Sequence, residues 1–263
     1  MPTSELGTQN AYRLLSVLMP VYNEARTLRT IVQRVLNSPI TVPMELICVD
    51  DCSRDQTPEI LAELVARDPR IKVFRHEVNQ GKGSAIQTAI AQMQGDLAII
   101  QDADLEYDPN DYPAVLAPIL QGKADAVFGS RFASAGQRKV LLYWHGVANH
   151  LLTWFTNILN DVNLTDMETC YKAVRADILR QTPLQSKRFG IEPELSTRLA
   201  QWNIRLYEVP VSYHGRSVAE GKKIGFKDAF SALLTAVPRN CKNTTPDSKK
   251  PRSEYNCPVA SAL

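Results

Sequence analysis

Short apolar runs that stop abruptly in clusters of polar residues set the tightest limit on what this chain can fold into. They occupy residues 14–19, 45–49, 71–75, 97–100 and 124–128, each four to six residues long. That is strand length, too short for a helix. Between them the pattern changes to helical spacing, first at Leu28, Ile31, Val32, Val35 and Leu36 after the potential cap Asn23. Thr57-Pro58-Glu59 opens a second helix with a proline in its first turn, residues 84–93 form a third, and residues 111–120 a proline-interrupted fourth. Unbroken apolar strands alternating with helices predict an α/β fold with a mostly parallel sheet and helices on both faces. Such sheets bind ligands beyond the carboxyl ends of their strands. Polar groups gather at those ends here: Tyr22-Asn23-Glu24, Asp50-Asp51, residues 102–106, and Ser130-Arg131.

After residue 137 the rhythm shifts to a long helical stripe of Trp144, Val147, Ala148, Leu151, Leu152, Phe155, Ile158 and Leu159, with His145, Asn149, Thr153 and Asn157 between. Two readings fit it: the core helix of a second, helical lobe, or a helix lying in a lipid interface with Trp144 and Trp154 at the headgroups. A last strand is expected at residues 204–211 and a helix at 225–237. The expected organisation is an N-terminal extension over 1–13, a binding part over 14–137, an acceptor-side part over 138–238 and a flexible basic tail over 239–263. The tail carries five basic residues against two acidic ones, which suits either a solvated end or weak attraction to anionic lipid.

Composition removes several classes. A chain 44% hydrophobic and 22% charged is neither disordered nor fibrous. Thirty basic residues against 28 acidic ones leave +2, too balanced for a nucleic-acid binder. The five cysteines are odd in number and show no zinc spacing, which fits a reducing compartment. The first residues lack a signal-peptide pattern and no apolar run reaches about 18 residues, so the expected location is cytoplasmic, without a span.

The sharpest chemical signal is Asp102-Ala103-Asp104-Leu105-Glu106. In an extended chain the three carboxylates would point the same way. They repel one another unless a cation joins them, and Mg²⁺ or Mn²⁺, hard ions that keep water and bind phosphates, are the natural partners. A solvated acidic turn, suggested by the following Asp108-Pro109-Asn110, is the plainer reading. No G-x-G-x-x-G follows the first strand, and Gly81-Lys82-Gly83 lacks the remaining elements of a P-loop.

The ordered motifs PVYNE (20–24), VDDCSRD (49–55), NQGKGSA (79–85), QDADLEYDP (101–109) and GSRF (129–132) resemble those of family 2 inverting glycosyltransferases. Together with TDMETCYK (165–172) and FGIEPEL (189–195) they are most similar to the dolichyl-phosphate mannosyltransferase and polyprenyl-phosphate glycosyltransferase group. The resemblance covers residues 14–235 and implies the GT-A nucleotide-sugar fold with a helical C-terminal acceptor lobe. It implies a donor that is a GDP- or UDP-hexose of mannose or glucose type, a polyprenyl or dolichyl phosphate acceptor, and peripheral contact with the inner membrane face. Residue by residue it implies that Pro20, Tyr22 and Glu24 line the nucleoside, and that Val49 and Asp51 meet the base and ribose. Asp102 and Ala103 would border the nucleotide, Asp104 and Glu106 hold the metal, and Arg131 reach a phosphate. Lys82 is read either as near the nucleotide or as a surface lysine. Glu106 stands where similar proteins often carry Gln.

Inverting transfer needs a nucleophile opposite a stabilised diphosphate leaving group. A hydroxyl acceptor needs a base, for which Asp166 and Glu168 are candidates, though either suits a cap on a helix starting at Tyr171-Lys172-Ala173. A phosphate acceptor, with a second pKa of roughly 6, is already an anion. Glu192 and Glu194 beside Pro193 read as helix-start residues. Ser212 to Gly215, Arg216 and Lys222-Lys223 form a basic segment after the last strand, and Arg216 and Lys222 match the family's phosphate-closing loop. The alternatives are transfer to a hydroxyl of a soluble acceptor or glycan, and a nucleotide-sugar-binding module without turnover.

Overall fold

The computed structural model describes residues 12–133, 143–188, 190–202 and 204–215, without the side chains of Trp144 and His145. The expected boundary at 137–138, Arg216, Lys222, the helix expected at 225–237 and the basic tail lie outside the described residues.

Seven strands form one sheet in the order β3-β2-β1-β4-β6-β5-β7. In chain order they are β1 (Leu15–Val21), β2 (Met44–Asp50), β3 (Ile71–Arg75), β4 (Leu97–Ile100), β5 (Ala126–Ser130), β6 (Lys172–Arg175) and β7 (Leu206–Pro210). The helices are α1 (Leu28–Leu36), α2 (Thr57–Arg67), α3 (Lys82–Gln92), α4 (Tyr112–Leu120), α5 (Tyr143–Asn160), α6 (Ala176–Gln181) and α7 (Ile191–Gln201). All strand pairs are parallel except those of β6, which runs antiparallel between β4 and β5. The predicted mostly parallel α/β sheet is therefore the observed one, and β1, β2, β4 and β5 are buried along nearly their whole length.

The sheet opens where the site lies. β1 pairs with β2 along its length, from Leu15 opposite Met44 to Val21 opposite Asp50, but with β4 only as far as Leu18 opposite Ile100. The Leu18 carbonyl accepts from the Gln101 amide, so Leu18 and Pro20 both turn their backbone polar groups toward β4. Pro20, which has no N–H to offer, thus falls where β4 has already left. Strands β2 and β3 lie on one side of β1 and β4 on the other, so the order reverses here, where open sheets place their ligands.

Two expectations fail. Tyr171-Lys172-Ala173 does not begin a helix; Lys172 opens the central strand β6, and α6 starts only at Ala176. A lysine at a sheet centre is tolerated because its ammonium donates to the carbonyls of Met167 and Thr169 and lies 5.0 Å from the centre of the Phe128 ring. Helix α5 is not a core helix with its apolar stripe turned inward. Asn149, Leu152, Thr153 and Thr156 face the protein, while Leu151, Trp154 and Ile158 are each about 60% exposed. No helix among the described residues is long and apolar enough to cross a membrane.

The first turn of α3 joins the two halves of the chain. Gly81 has φ of 97°, a conformation that glycine adopts at little cost. The Ser84 amide and the Gln87 side chain donate to the carbonyls of Lys187 and Ser186. A Cβ on Gly83 would stand 2.0 Å from the Ser186 carbonyl oxygen, a backbone atom that cannot swing away. We expect Gly83→Ala to cost about 1–3 kcal/mol through overpacking and to lower the thermal unfolding midpoint by several degrees. A midpoint equal to that of the parent protein would contradict the close approach.

Candidate active site

The rim at the ends of β1 and β2 is built from backbone donors meeting short polar side chains. The Asn23 amide donates to Ser53 Oγ (2.9 Å), the Arg54 amide to Asn23 Oδ1 (2.8 Å) and the Glu24 amide to Thr57 Oγ1 (3.0 Å). Thr27 then links this turn to the end of β4: its hydroxyl lies 2.8 Å from Glu24 Oε2 and 2.9 Å from the Ala103 carbonyl. Pro20, Tyr22, Glu24, Ala103 and the acidic turn are thereby brought to one edge of the cleft.

Two of the expected nucleoside contacts are placed otherwise. Val49 is fully buried inside β2, between Pro20 and Phe74, and underpins the rim instead of lining it. The Asp51 carboxylate is occupied by the turn before α3. It accepts from the Gln80 and Gly81 amides at 2.8 and 2.7 Å and sits 2.8 Å from His76 Nδ1. Oδ1 takes two of these contacts and Oδ2 one.

The acidic turn is bent, not extended, so the alternation of Asp102, Asp104 and Glu106 does not align their carboxylates. Asp102 pairs with Lys82 Nζ at 2.7 Å. Asp104 Oδ1 accepts from the Glu106 amide at 3.0 Å, an Asx turn that closes the bend. Glu106 Oε2 accepts from the Tyr213 hydroxyl at 2.8 Å, and the Glu106 carbonyl accepts from the His214 amide at 2.8 Å. Among the described residues no three His, Cys, Asp or Glu side chains converge as a metal cage, which corrects the expected three-carboxylate set. Lys82 neutralises Asp102. Asp104 and Glu106 remain as two hard oxygen donors, and their chemistry suits Mg²⁺ or Mn²⁺, which usually take one or two carboxylates and complete their shell with water and phosphate oxygens.

Lys82 reaches further than its sequence context suggested. Besides Asp102 it meets Glu192 Oε1 at 2.6 Å, so one ammonium joins the β4 end to the first turn of α7. Burial works against its charge, but Asp102 and Glu192 outweigh that and hold it well above the usual lysine range. Glu192 is therefore a specific ion-pair partner as well as a helix-start residue, while Glu194 caps the amides of Gln185 and Ser186.

Arg131 lies at the end of β5 in a fixed geometry. Its Nε and Nη2 each donate to Asp166 at 2.6 Å, and Nη2 also meets Asn149 Oδ1 at 3.2 Å. The guanidinium lies 5.1 Å from the Tyr213 ring centre. Burial opposes its charge, yet Tyr107 and Asp166 keep its pKa well above the ordinary value. Asp166, with a side chain 0% exposed and both oxygens engaged, is the anchor of Arg131 and not a base facing an acceptor. Glu168 is different: burial, then the charge of Glu192, push its pKa up to about 7, and its Oε1 is buried without a hydrogen-bond partner among the described residues. Asn149 and Tyr213, which steady Arg131, were not assigned to the site from sequence. The one signal for Asn149 was a polar residue recurring on the helical stripe.

The family model "Glycosyl transferase family 2" matches residues 16–182. The undecaprenyl-phosphate mannosyltransferase of Micrococcus luteus is 29% identical over 81% of this chain and 88% of its own length. The dolichol-phosphate mannosyltransferase of Pyrococcus furiosus is 33% identical over 83% of this chain, which spans 61% of that protein. In architecture the chain is similar to glucosyl-3-phosphoglycerate synthase from Mycobacterium tuberculosis, solved with Mn²⁺, UDP and glucosyl-3-phosphoglycerate. The TM-score is 0.64 at 20% identity, covering 85% of this chain and 78% of that one.

The Arg131–Asp166 pair separates an anchor from a base. Removing one member of a buried pair costs roughly 3–5 kcal/mol because the other charge is left uncompensated. We expect Asp166→Asn to lower the unfolding midpoint markedly along with activity. Lost activity at an unchanged midpoint would instead assign Asp166 to the chemistry.

Proposed function

The chain belongs to glycosyl transferase family 2, and from that membership we propose that it moves a hexose of mannose or glucose type from a nucleotide-diphosphate sugar to a polyprenyl phosphate. That it is a glycosyltransferase follows from the family. The donor, the lipid phosphate and the metal are our reading. The observation that carries it is the joining, on one rim, of the Asp104–Glu106 pair with the anchored Arg131 through Tyr213.

Asp104 and Glu106 are the residues that would hold Mg²⁺ or Mn²⁺, which supplies positive charge to the departing diphosphate. Support comes from the chemistry of the pair and from the similarly folded synthase, solved with Mn²⁺ and UDP. Arg131 presents a cation already oriented by Asp166 and Asn149, so little reorganisation is needed when phosphate charge develops. Pro20, Tyr22, Glu24 and Ala103 border the nucleoside, and Arg216 and Lys222, in the segment beyond Gly215, bring further cations to the phosphates. A phosphate acceptor is already an anion near neutral pH and requires no base, which agrees with an Asp166 committed to Arg131. Glu168 favours a second reading, transfer to a hydroxyl, because a carboxyl near pH 7 can take a proton.

The acceptor class is supported by the two polyprenyl-phosphate relatives and by α5. No Asp, Glu, Lys or Arg occurs between Tyr143 and Asn160, and the helix turns Leu151, Trp154 and Ile158 outward. Its opposite face carries Asn149, bonded to Arg131, so a membrane against the outer face would lie one helix thickness from the reacting phosphates.

Two experiments follow. Incubation with labelled nucleotide-hexose, polyprenyl phosphate and Mn²⁺ or Mg²⁺ is expected to give a lipid-linked hexose, while excess chelator or Asp104→Ala lowers the rate roughly a hundredfold or more. Full activity in chelator would remove the metal from the reading, and transfer only to a soluble hydroxyl acceptor would install the second one. In flotation with vesicles containing anionic lipid, we expect the protein to float and the double variant Leu151→Glu with Trp154→Glu to stay in solution at an unchanged unfolding midpoint. Equal flotation of both would show that α5 is not the contact.

A further inference from the structure

Residues 164–167, between α5 and β6, belong to no helix or strand, yet their four successive backbone amides each donate to a side chain. The Leu164 amide donates to Asn157 Oδ1 at 3.0 Å and the Met167 amide to Thr153 Oγ1 at 3.2 Å, both acceptors on α5. The two amides between them go to Glu208. Its oxygens each accept from the Thr165 amide at 2.9 Å, and Oε1 also accepts from the Asp166 amide at 3.2 Å. Glu208 lies on β7 opposite Phe128 of β5, the strand that ends at Ser130, so it reaches across to the loop from beside the strand that carries Arg131. The loop is tied to that strand end as well: Thr165 Oγ1 lies 2.5 Å from Ser130 Oγ, and the Arg131 amide donates to Asp166 Oδ2 at 3.0 Å. Backbone amides outside regular structure need acceptors, and here side chains alone set the direction of the chain at Asp166.

We propose that Glu208 is a positioning residue for Arg131, acting through Asp166. The guanidinium is aimed by the Asp166 carboxylate, which takes Nε and Nη2 at 2.6 Å each. The aim of that carboxylate follows from the backbone at 165–166, and Glu208 is the acceptor for both amides there. Burial, then the charge of Asp166, raise the Glu208 pKa, while the two amides oppose the rise. A glutamine would avoid that repulsion. What the carboxylate adds is a charged acceptor, whose hydrogen bonds are about twice as strong as neutral ones. Small displacements matter at a reacting centre, where a shift of about 1 Å can lower the rate roughly a hundredfold. The inference rests on the reading of Arg131 as the cation that meets the phosphates.

The test compares the whole chain with Glu208→Gln, Arg131→Lys and the double variant, using two readouts. The first is hydrogen exchange of the Arg131 Nε proton in ¹⁵N-labelled protein, its resonance identified by its loss in Arg131→Lys. The second is kcat for hexose transfer from the nucleotide sugar to polyprenyl phosphate. In Glu208→Gln we expect the Nε proton to exchange about tenfold faster and kcat to fall roughly ten- to a hundredfold, with the donor KM changed far less. In the Arg131→Lys background the same substitution should change kcat by less than about twofold, because residues that act as one unit are not additive. Glu208→Asp, one methylene shorter, gives the same comparison should the glutamine variant not fold. Unchanged exchange, or an equal fractional loss of kcat in both backgrounds, overturns the proposal and leaves Glu208 as a residue of the fold alone. Faster exchange at undiminished kcat overturns the reading of Arg131, and this proposal with it.

Discussion

One half-buried ammonium holds the two halves of this site in register. Lys82 Nζ lies between Asp102 at the end of β4 and Glu192 at the start of α7, within 2.7 Å of the first and 2.6 Å of the second. Without a cation there, Asp102, Glu192 and Glu168 would bring like charges together in a medium where each pair at close range costs several kcal/mol at an effective dielectric constant of about 20. The ammonium can reach both because α3 begins at Lys82, directly after the positive-φ residue Gly81, whose amide is fixed by Asp51. Asp51 therefore acts at a distance: it shapes the turn that aims the lysine. The same turn needs Gly83, since the backbone of Ser186 occupies the place of a side chain.

What the sequence disclosed follows from which elements are buried on both faces. Strands β1, β2, β4 and β5 are continuous apolar runs because helices cover both sides of the sheet, and the polar groups that end them mark the rim. The four-residue β6 could not be read in this way. It begins with a lysine, and only the carbonyls of Met167 and Thr169 and the Phe128 ring, distant in pattern, make that lysine acceptable. The acidic motif was legible as a motif but not as a geometry. Period two predicts three parallel carboxylates, and a bend closed by Asp104 on the Glu106 amide sends them to different partners.

Helix α5 shows why periodicity leaves direction open. Its polar and apolar stripes are equally continuous, so the pattern fixes two faces and does not say which is inside. The choice is made by hydrogen bonds that only the folded chain brings together: Asn149 with Arg131 and Asp166, and Thr153 with the Met167 amide. Burying those groups without partners would cost more than exposing Leu151, Trp154 and Ile158. The exposed apolar face is then a consequence of how Arg131 is anchored, which ties the proposed membrane contact to the proposed chemistry through one helix.

The same logic applies to the carboxylates that remain. Asp51, Asp102 and Asp166 each have a resident partner, so most of the acidity of the rim is structural. Glu168 Oε1 and the second oxygen of the Lys82-paired Glu192, Oε2, are buried without a hydrogen-bond partner among the described residues. Two neighbouring carboxylates in that position cannot both stay charged without cost, and the response is visible in Glu168, whose pKa rises to about 7. Lys82 compensates Glu192 directly, while the Lys172 charge draws the Glu168 pKa back down against that rise. Lys82 alone does not balance both Asp102 and Glu192, and Lys172 is the second cation facing this corner.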